Sequence, residues 1–524
     1  MSGTAAGRID WPALEIDIPE SSPEAVAAPA YHTWLDLARA NRAALDTTTA
    51  TIAGVSLGEL RRAARAEILP LAAAYTRSLG HDPPKHGEGL VLATGHQPIL
   101  VHAGIWIKYL ALARLVPPEG VGVNVIVDSD ATGEIDAEVP RADGRLGRAR
   151  VILAQAGPEV PAEVVPAPDV AQWRAFAAEI DGHLATLDEP AITKAWGRTR
   201  SLLPVRTPSE AGLSGAITAL RRALEGPRSY LDIPVSHLIR TAAFRRFAAS
   251  ILNESARFAE VHNGCLADYR THYGVRTAAQ PFPDLEVNGG RVEAPFWYVD
   301  EGRRWPLFVD VNAGRLIARD RAVGPLPSDP DDPAFKSVPL RPRALTMTAF
   351  KRTAVVDLFI HGIGGGRYDR ATDAIVREFF GIAPPAYAIV TATLWLPFRD
   401  SGAPDEERRR LRRTMLDLQH NPDRFLSADS GPHRELAAEK WALIRRLEEP
   451  NTMTRRERRQ ATQRIREINS ILQVAVADRV ATVQEALHRV DIRQEDAEVT
   501  AYRAYPFILH RVEAVEGLVD ALGT

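Results

Sequence analysis

Three short segments collect the residues that could do chemistry. They are Gly95-His96-Gln97 with His102, then Asp128-Ser129-Asp130, then His361-Gly362-Ile363-Gly364-Gly365-Gly366 followed by Arg367 and Asp369. In the first, an apolar run from Gly89 to Ala93 opens into a polar loop and feeds a helix that starts near Gly104. Backbone N–H groups and the positive end of a helix dipole converge at such a junction, which suits an anion. Gly95 allows close backbone approach, and His96, Gln97 and His102 can donate to phosphate or carboxylate oxygens. The same residues also suit a plain strand–helix turn whose histidines satisfy backbone groups.

In the second segment, Val121 to Val127 is apolar and ends in two acids. Acids at a strand end can bind ribose hydroxyls, hold a magnesium–nucleotide complex or accept a proton from an amine; the alternative is capping, with Asp130 or Thr132 as N-cap of a short helix or turn. Glu134, Asp136 and Glu138 read as solvated. In the third, four glycines within Gly362–Gly366 follow the apolar Leu358-Phe359-Ile360 and form a loop of unobstructed N–H groups before the next helix. That loop lacks the Gly-Lys-Ser/Thr of a phosphate-binding loop, and a flexible turn is the alternative. His102-Ala103-Gly104-Ile105 keeps part of a His-x-Gly-His signature, with Ile105 where its second histidine would be.

These segments need a scaffold. With 524 residues, several domains are expected. Hydrophobic content of 45% and charged content of 25% are those of a globular protein. A net charge of -3 speaks against a globally basic nucleic-acid binder. The lone Cys265 excludes an intramolecular disulfide and any multi-cysteine metal site, and reads as a buried thiol. With no apolar run in Met1–Asp10 and no stretch of the roughly 20 apolar residues a membrane helix needs, a cytoplasmic location is expected.

Along the chain, 1–85 reads as an N-terminal helical segment, with Ser56 as a helix N-cap and Pro70 ending or kinking that helix. Short β-branched runs alternating with helical pattern imply βαβ units in 86–260, the first part of a parallel-sheet core, although 166–260 reads as mostly helical. An insertion, 261–335, carries an antiparallel meander over Val287–Arg319, and its stretch 324–333 reads as a linker. Residues 336–400 return to the core, with helix around Ala349–Phe359 and a strand over Tyr387–Leu394. From 401 to 500 the chain is charged and helical; Ile465, Ile468, Leu472, Val476, Val480, Val483, Leu487 and Val490 form one apolar stripe, and Pro450 divides a helical hairpin. The last segment, 501–524, folds back on the core. The fold class expected is α/β: a Rossmann-like parallel-sheet core, a small antiparallel β insertion and a C-terminal α-helical coiled-coil hairpin.

Taken together, these motifs are similar to those of the bacillithiol biosynthesis cysteine-adding enzyme family, cysteine ligases with a Rossmann-like core and a dimerising coiled coil. That family's Thr-Gly-Gln-Gln loop, with a following aromatic and lysine, matches Thr94-Gly95-His96-Gln97 with Trp106, Lys108 and Tyr109. Its Glu-Asp-His-Asp strand end matches Asp128-Ser129-Asp130, and its Gly-Gly-Pro-Gly-Glu loop matches His361-Gly362-Ile363-Gly364-Gly365. Its Phe-Gly-Ile/Val-Pro-x-Pro segment matches Phe380-Gly381-Ile382-Ala383-Pro384-Pro385. The resemblance spans most of 90–490. It adds Lys108 to the ligand-binding candidates and implies a ligase that joins an amino acid, or a similar amine or thiol, to a small anionic acceptor, with ATP as candidate cofactor and a homodimer through the C-terminal helices.

The candidate catalytic residues are then His96, Asp128, Asp130 and His361. The candidate ligand-binding residues are Gly95, Gln97, His102, Lys108, Gly362, Gly364, Gly365, Gly366, Arg367 and Asp369; no metal ligands are assigned. The alternative is a binding protein that takes nucleic acid or a protein through the charged hairpin. Solvated helix faces account for Arg408–Arg413 and Arg455–Arg459 without such a partner.

Overall fold

The computed structural model describes residues 16–203, 211–277, 281–399, 404–426, 431–448 and 453–523. The Met1–Asp10 segment and Pro450 lie outside the described residues. The chain divides into two compact units, one made of Met1–Ala142, Arg148–Leu396 and Arg503–Thr524, the other of Asp143–Gly147 and Pro397–Tyr502.

The first unit is mixed α/β around a mostly parallel sheet. Its strand order is Glu24–Ala28, Ala388–Thr393, Leu358–His361, Val91–His96, Val121–Ile126, Tyr230–Pro234, and only the first runs antiparallel to its neighbour. Helices cover both faces, so Val121–Ile126 and Tyr230–Pro234 are buried at every position and read as apolar runs rather than alternating strands. In chain order the parallel strands start at Val91–His96 and step outward to Tyr230–Pro234. They then return to the other side of Val91–His96 with Leu358–His361 and Ala388–Thr393. This is a doubly wound sheet, consistent with a Rossmann-like core, and its direction reverses between Val91–His96 and Leu358–His361.

Several expectations are corrected. The sheet includes Tyr230–Pro234 inside a stretch that reads as helical, and Leu358–His361 inside the helix expected around Ala349–Phe359; helical backbone there covers Ala344–Val355 instead. Both strands are short and fully buried, so burial by neighbours decides what local pattern does not. Glu24–Ala28 is an edge strand within the segment expected to be helical. The helix Leu57–Ser78 opens with the expected Ser56 cap, a reciprocal box with Glu59. Pro70 does not end it, because Pro70 lies on the exposed face, where water takes up the carbonyl freed by the missing N–H.

The insertion sheet has the order Arg321–Pro325, Arg315–Ala318, Arg303–Asp310, Arg291–Asp300, Leu340–Pro342. Of the stretch 324–333, only the end of Arg321–Pro325 and the first residue of the short helix Pro333–Lys336 are regular, and 326–332 run between them without regular structure, as expected for a linker. Val292, Phe296, Leu307 and Leu316 share one apolar core with Phe244, Phe247 and Phe350, so the insertion is welded to the main sheet.

The second unit holds the helices Pro404–His420, Gly431–Glu448, Arg455–Ala475 and Ala477–Thr500. The first packs on the last and the second on the third. The stripe residues Val476 and Val483 are covered within the chain by Leu418, with Leu411, Met415 and Phe425 around them. The apolar periodicity therefore reports packing inside this unit. No helix among the described residues is long and apolar enough to cross a membrane.

Candidate functional site

Ligands of open α/β sheets settle outside the carboxyl ends of the strands where the winding reverses. Here that crevice lies between the ends of Val91–His96 and Leu358–His361. The strand carries further than expected, so Gly95 and His96 belong to it and the loop begins at Gln97. Gly95 is required by its neighbour: a Cβ there would lie 2.5 Å from the Val125 carbonyl oxygen. Lys108, from the following helix Ala103–Leu115, is 3% exposed and donates to the Gly95 carbonyl at 2.8 Å. Among the described residues no carboxylate pairs with it. Its stem also reaches the third segment, since a Cβ on Gly362 would sit 3.8 Å from Lys108 Cδ. Burial, then the positive charges of Lys351 and Arg221, bring the Lys108 ammonium down to about 7.

The glycine segment is not a loop. Ile363–Phe380 is one helix, and Gly364 to Gly366 form its first turn. Glycine is costly in a helix interior, but the first turn has free N–H groups whatever its residues. The three glycines do different things. Gly364 is open to solvent, and Gly366 lets Ile389 pack, a Cβ there meeting Ile389 Cδ1 at 2.3 Å. Gly365 leaves room for an imidazole, because a Cβ there would lie 2.8 Å from His361 Nδ1.

The other ring nitrogen of His361, Nε2, is 2.9 Å from Asp369 Oδ2. Arg352 Nη1 donates to the same oxygen at 2.6 Å, and Arg352 Nη2 meets Asp373 at 2.7 Å. Asp369 and Arg352 are each 2% exposed. Asp369, expected to meet ligand, is thus enclosed and orients His361 instead. Burial opposes its ionisation, but Arg352 and His361 hold its carboxyl well below the usual carboxylate range. Burial lowers His361 itself, with Asp369 opposing, so the imidazole is neutral near pH 7. Arg367 is exposed at the rim.

The two acids of the second segment separate. Asp128 is 2% exposed, and both its oxygens accept from Ser236, at 3.0 Å from the backbone N–H and 2.5 Å from Oγ. Burial pushes it up to about 6. It caps the chain leaving Tyr230–Pro234, a role the sequence did not suggest for it. Asp130 remains partly open and joins Gln97, whose Nε2 donates to it at 3.1 Å, with Arg304 Nη1 at 3.3 Å. Arg304 comes from the insertion sheet; its guanidinium and that of Arg343 both pack on the Trp297 ring, at 4.8 Å and 4.1 Å from its centre. Glu134, Asp136 and Glu138 pair with Arg148 and Arg150 on a separate two-stranded sheet.

His102 caps its helix, its Nδ1 accepting from Gly104 N at 3.1 Å, the backbone role the sequence left open. The C-terminal segment closes over this turn: Phe507 N donates to the Val101 carbonyl at 2.7 Å, and Tyr505 to Leu509 are fully buried. Burial is the main cause that brings His96 down to about 3, and His102 and His510 down to about 4. The unfolded chain takes up these protons near pH 6.5 while the folded chain refuses them until pH 3–4. Stability is therefore expected to fall as pH drops below 6.5, by up to about 4 kcal/mol per pH unit with three such groups. Urea midpoints measured from pH 7 to pH 4.5 check this; a flat profile would mean the imidazoles titrate freely.

Compared with known proteins, the chain matches no family model and no curated protein.

The geometry brings together His96, Gln97, Lys108, Asp130, Gly362, His361 and the Gly364–Gly365 turn along one sheet edge. It sets Asp128 and His102 apart as capping groups. Sequence reasoning missed Arg304, Lys351, Arg352 and His510. No motif marks them, and only the tertiary fold carries them to these segments. Among the described residues no group of three His, Cys, Asp or Glu is placed to hold a metal ion. Cys265 is buried, and burial pushes its thiol up to about 12, which makes it inert as a nucleophile.

Proposed function

We propose that this chain is a ligase-type enzyme that joins an amine or thiol, such as that of an amino acid, to a small anionic acceptor in the crevice between Val91–His96 and Leu358–His361. One observation carries the reading: His361 has Nε2 fixed by Asp369 and Nδ1 beside the Gly364–Gly365 turn, while the buried Lys108 reaches Gly362 at the start of the same helix. In this reading the N–H groups of the first turn and Lys108 hold the acceptor's negative charge. His361 Nδ1 takes the proton of the attacking amine or thiol, as a neutral imidazole near pH 7 can. Gln97, Asp130 and Arg304 form the polar wall beside it. ATP is the co-substrate that the resemblance to the cysteine-adding family implies: breaking one of its phosphoanhydride bonds would activate the acceptor with a phosphate or nucleotidyl leaving group, which the amine displaces to form a C–N bond or the thiol to form a C–S bond. A homodimer through the helical unit would use groups left outside its core, such as Leu416 and Val474, which are exposed.

Thermal stability with ATP, cysteine and a sugar phosphate is the first test. A ligand present at a hundred times its Kd stabilises by about 2.7 kcal/mol, a shift that is easily read. The expected result is stabilisation by an anionic small molecule that disappears in a His96→Ala, Asp130→Ala double variant, together with a cysteine-dependent product by mass spectrometry. Stabilisation by RNA alone, weakening with salt, would instead favour a nucleic-acid binding protein.

A further inference from the structure

At the carboxyl end of Tyr230–Pro234 the first unit contains a cavity of about 250 Å³, between the turn that follows this strand and the segment Phe335–Arg341. It belongs to none of the three motifs. One wall is apolar, made by Phe244, Ala248, Phe335, Val338 and Leu340. The remaining lining is largely cationic, with Arg240, Arg245, Lys336 and Arg341. Three of these cations are answered: Arg341 by Glu163 at 2.7 Å, and Arg245 and Lys336 by Asp331 at 3.2 and 3.3 Å. Arg240 is different. It is exposed and, among the described residues, no carboxylate pairs with its guanidinium, while its own carbonyl accepts from Arg245.

An unanswered guanidinium at the mouth of a half-apolar cavity fits a ligand with an anionic head and a short apolar arm. We propose that this cavity is a second binding site, for a small carboxylate bearing a short aliphatic chain, with Arg240 receiving the carboxylate and the arm lying against Phe335 and Val338. The volume fits a fragment of a few carbon atoms rather than a nucleotide. Ser236, on the cavity wall, also holds Asp128, so an occupant sits one side chain from that acid. This site is independent of the crevice reading, because none of its lining residues is placed there.

Calorimetric titration of the full chain with sodium acetate, butanoate and hexanoate, against sodium chloride at equal ionic strength, tests it. Binding is expected to tighten from acetate to butanoate. Arg240→Gln should weaken butanoate about tenfold, the size of one charge-assisted hydrogen bond, without moving the urea midpoint, since the side chain is exposed. Lys108→Met should leave butanoate binding intact, which separates this site from the crevice. Butanoate binding no better than chloride, or equal in wild type and Arg240→Gln, overturns the proposal. So does affinity of the Lys108→Met chain for inorganic phosphate that matches its affinity for butanoate, because then the apolar wall contributes nothing.

Discussion

Asp369→Ala is expected to lower the unfolding free energy by about 3–5 kcal/mol, the cost of leaving a buried ion pair with one partner. Arg352, 2% exposed, would keep only Asp373 as its carboxylate, and His361 would lose the group that fixes Nε2. His361→Gln should behave oppositely, costing about 1 kcal/mol or less because only one neutral partner is exchanged. It should nevertheless lower turnover of the proposed ligation about 10²–10⁴-fold, the range of a lost general base. The sign with pH is the same as for the histidines, and only the window differs. The folded-state value of Asp369 lies below its unfolded value. Its contribution is therefore complete above about pH 4 and is lost only as pH falls through the folded-state value. Urea denaturation of both variants at pH 7 measures the contrast. An Asp369→Ala protein within 1 kcal/mol of wild type would mean that the His361–Asp369–Arg352 group is not a structural unit.

Lys108→Met should do something less usual: stabilise the fold while removing the anion affinity proposed for the crevice. A buried ammonium whose partner is a carbonyl is costly, which is why its value falls to about 7. Between pH 7 and about 10.4 the unfolded chain holds a proton that the folded chain has released, so stability rises with pH across that window. Below pH 7 both states are protonated and the full cost is present. The methionine variant is therefore expected to be more stable by about 2–4 kcal/mol at pH 6, with the difference vanishing towards pH 10. Phosphate or carboxylate affinity of the crevice should fall in the variant at pH 6, and in the wild type as pH rises through 7. A variant less stable than wild type at pH 6 would show that the Gly95 hydrogen bond outweighs the cost of burying the charge.

Much of the scaffold around this lysine is legible from local pattern alone. The run into Gly95, the helix after His102 and the apolar strand before Asp128 are long enough for periodicity to show. Tyr230–Pro234 hides because five residues containing Asp232 and Pro234 carry no periodicity, and its burial is supplied by flanking helices. The glycine helix hides for the opposite reason. Low propensity argues against helix, yet Gly365 and Gly366 are set by His361 and Ile389, neighbours that only the tertiary fold provides. Asp128 is legible as an acid at a strand end, but its occupation by Ser236, from the turn after the neighbouring strand, is not. Arg304 and Arg352 reach their partners from segments with no motif. Arginines are common, and nothing in their immediate surroundings distinguishes these two.

The reversal of winding at the sheet centre has a consequence for how the protein comes into being. Thr94 Oγ1 hydrogen-bonds the Ile360 carbonyl across 266 residues of chain. The outermost strand, Glu24–Ala28, pairs with Ala388–Thr393, the last strand of the sheet to be made. On the ribosome, a nascent chain carrying His96 and Lys108 has no opposite bank until Leu358–His361 emerges, and its first strand waits longer still. Loop closure over such separations adds little to the equilibrium cost but delays the pairing. The crevice is thus among the last parts of the molecule to exist, and a truncated or stalled chain carries the candidate residues without the fold that brings them together.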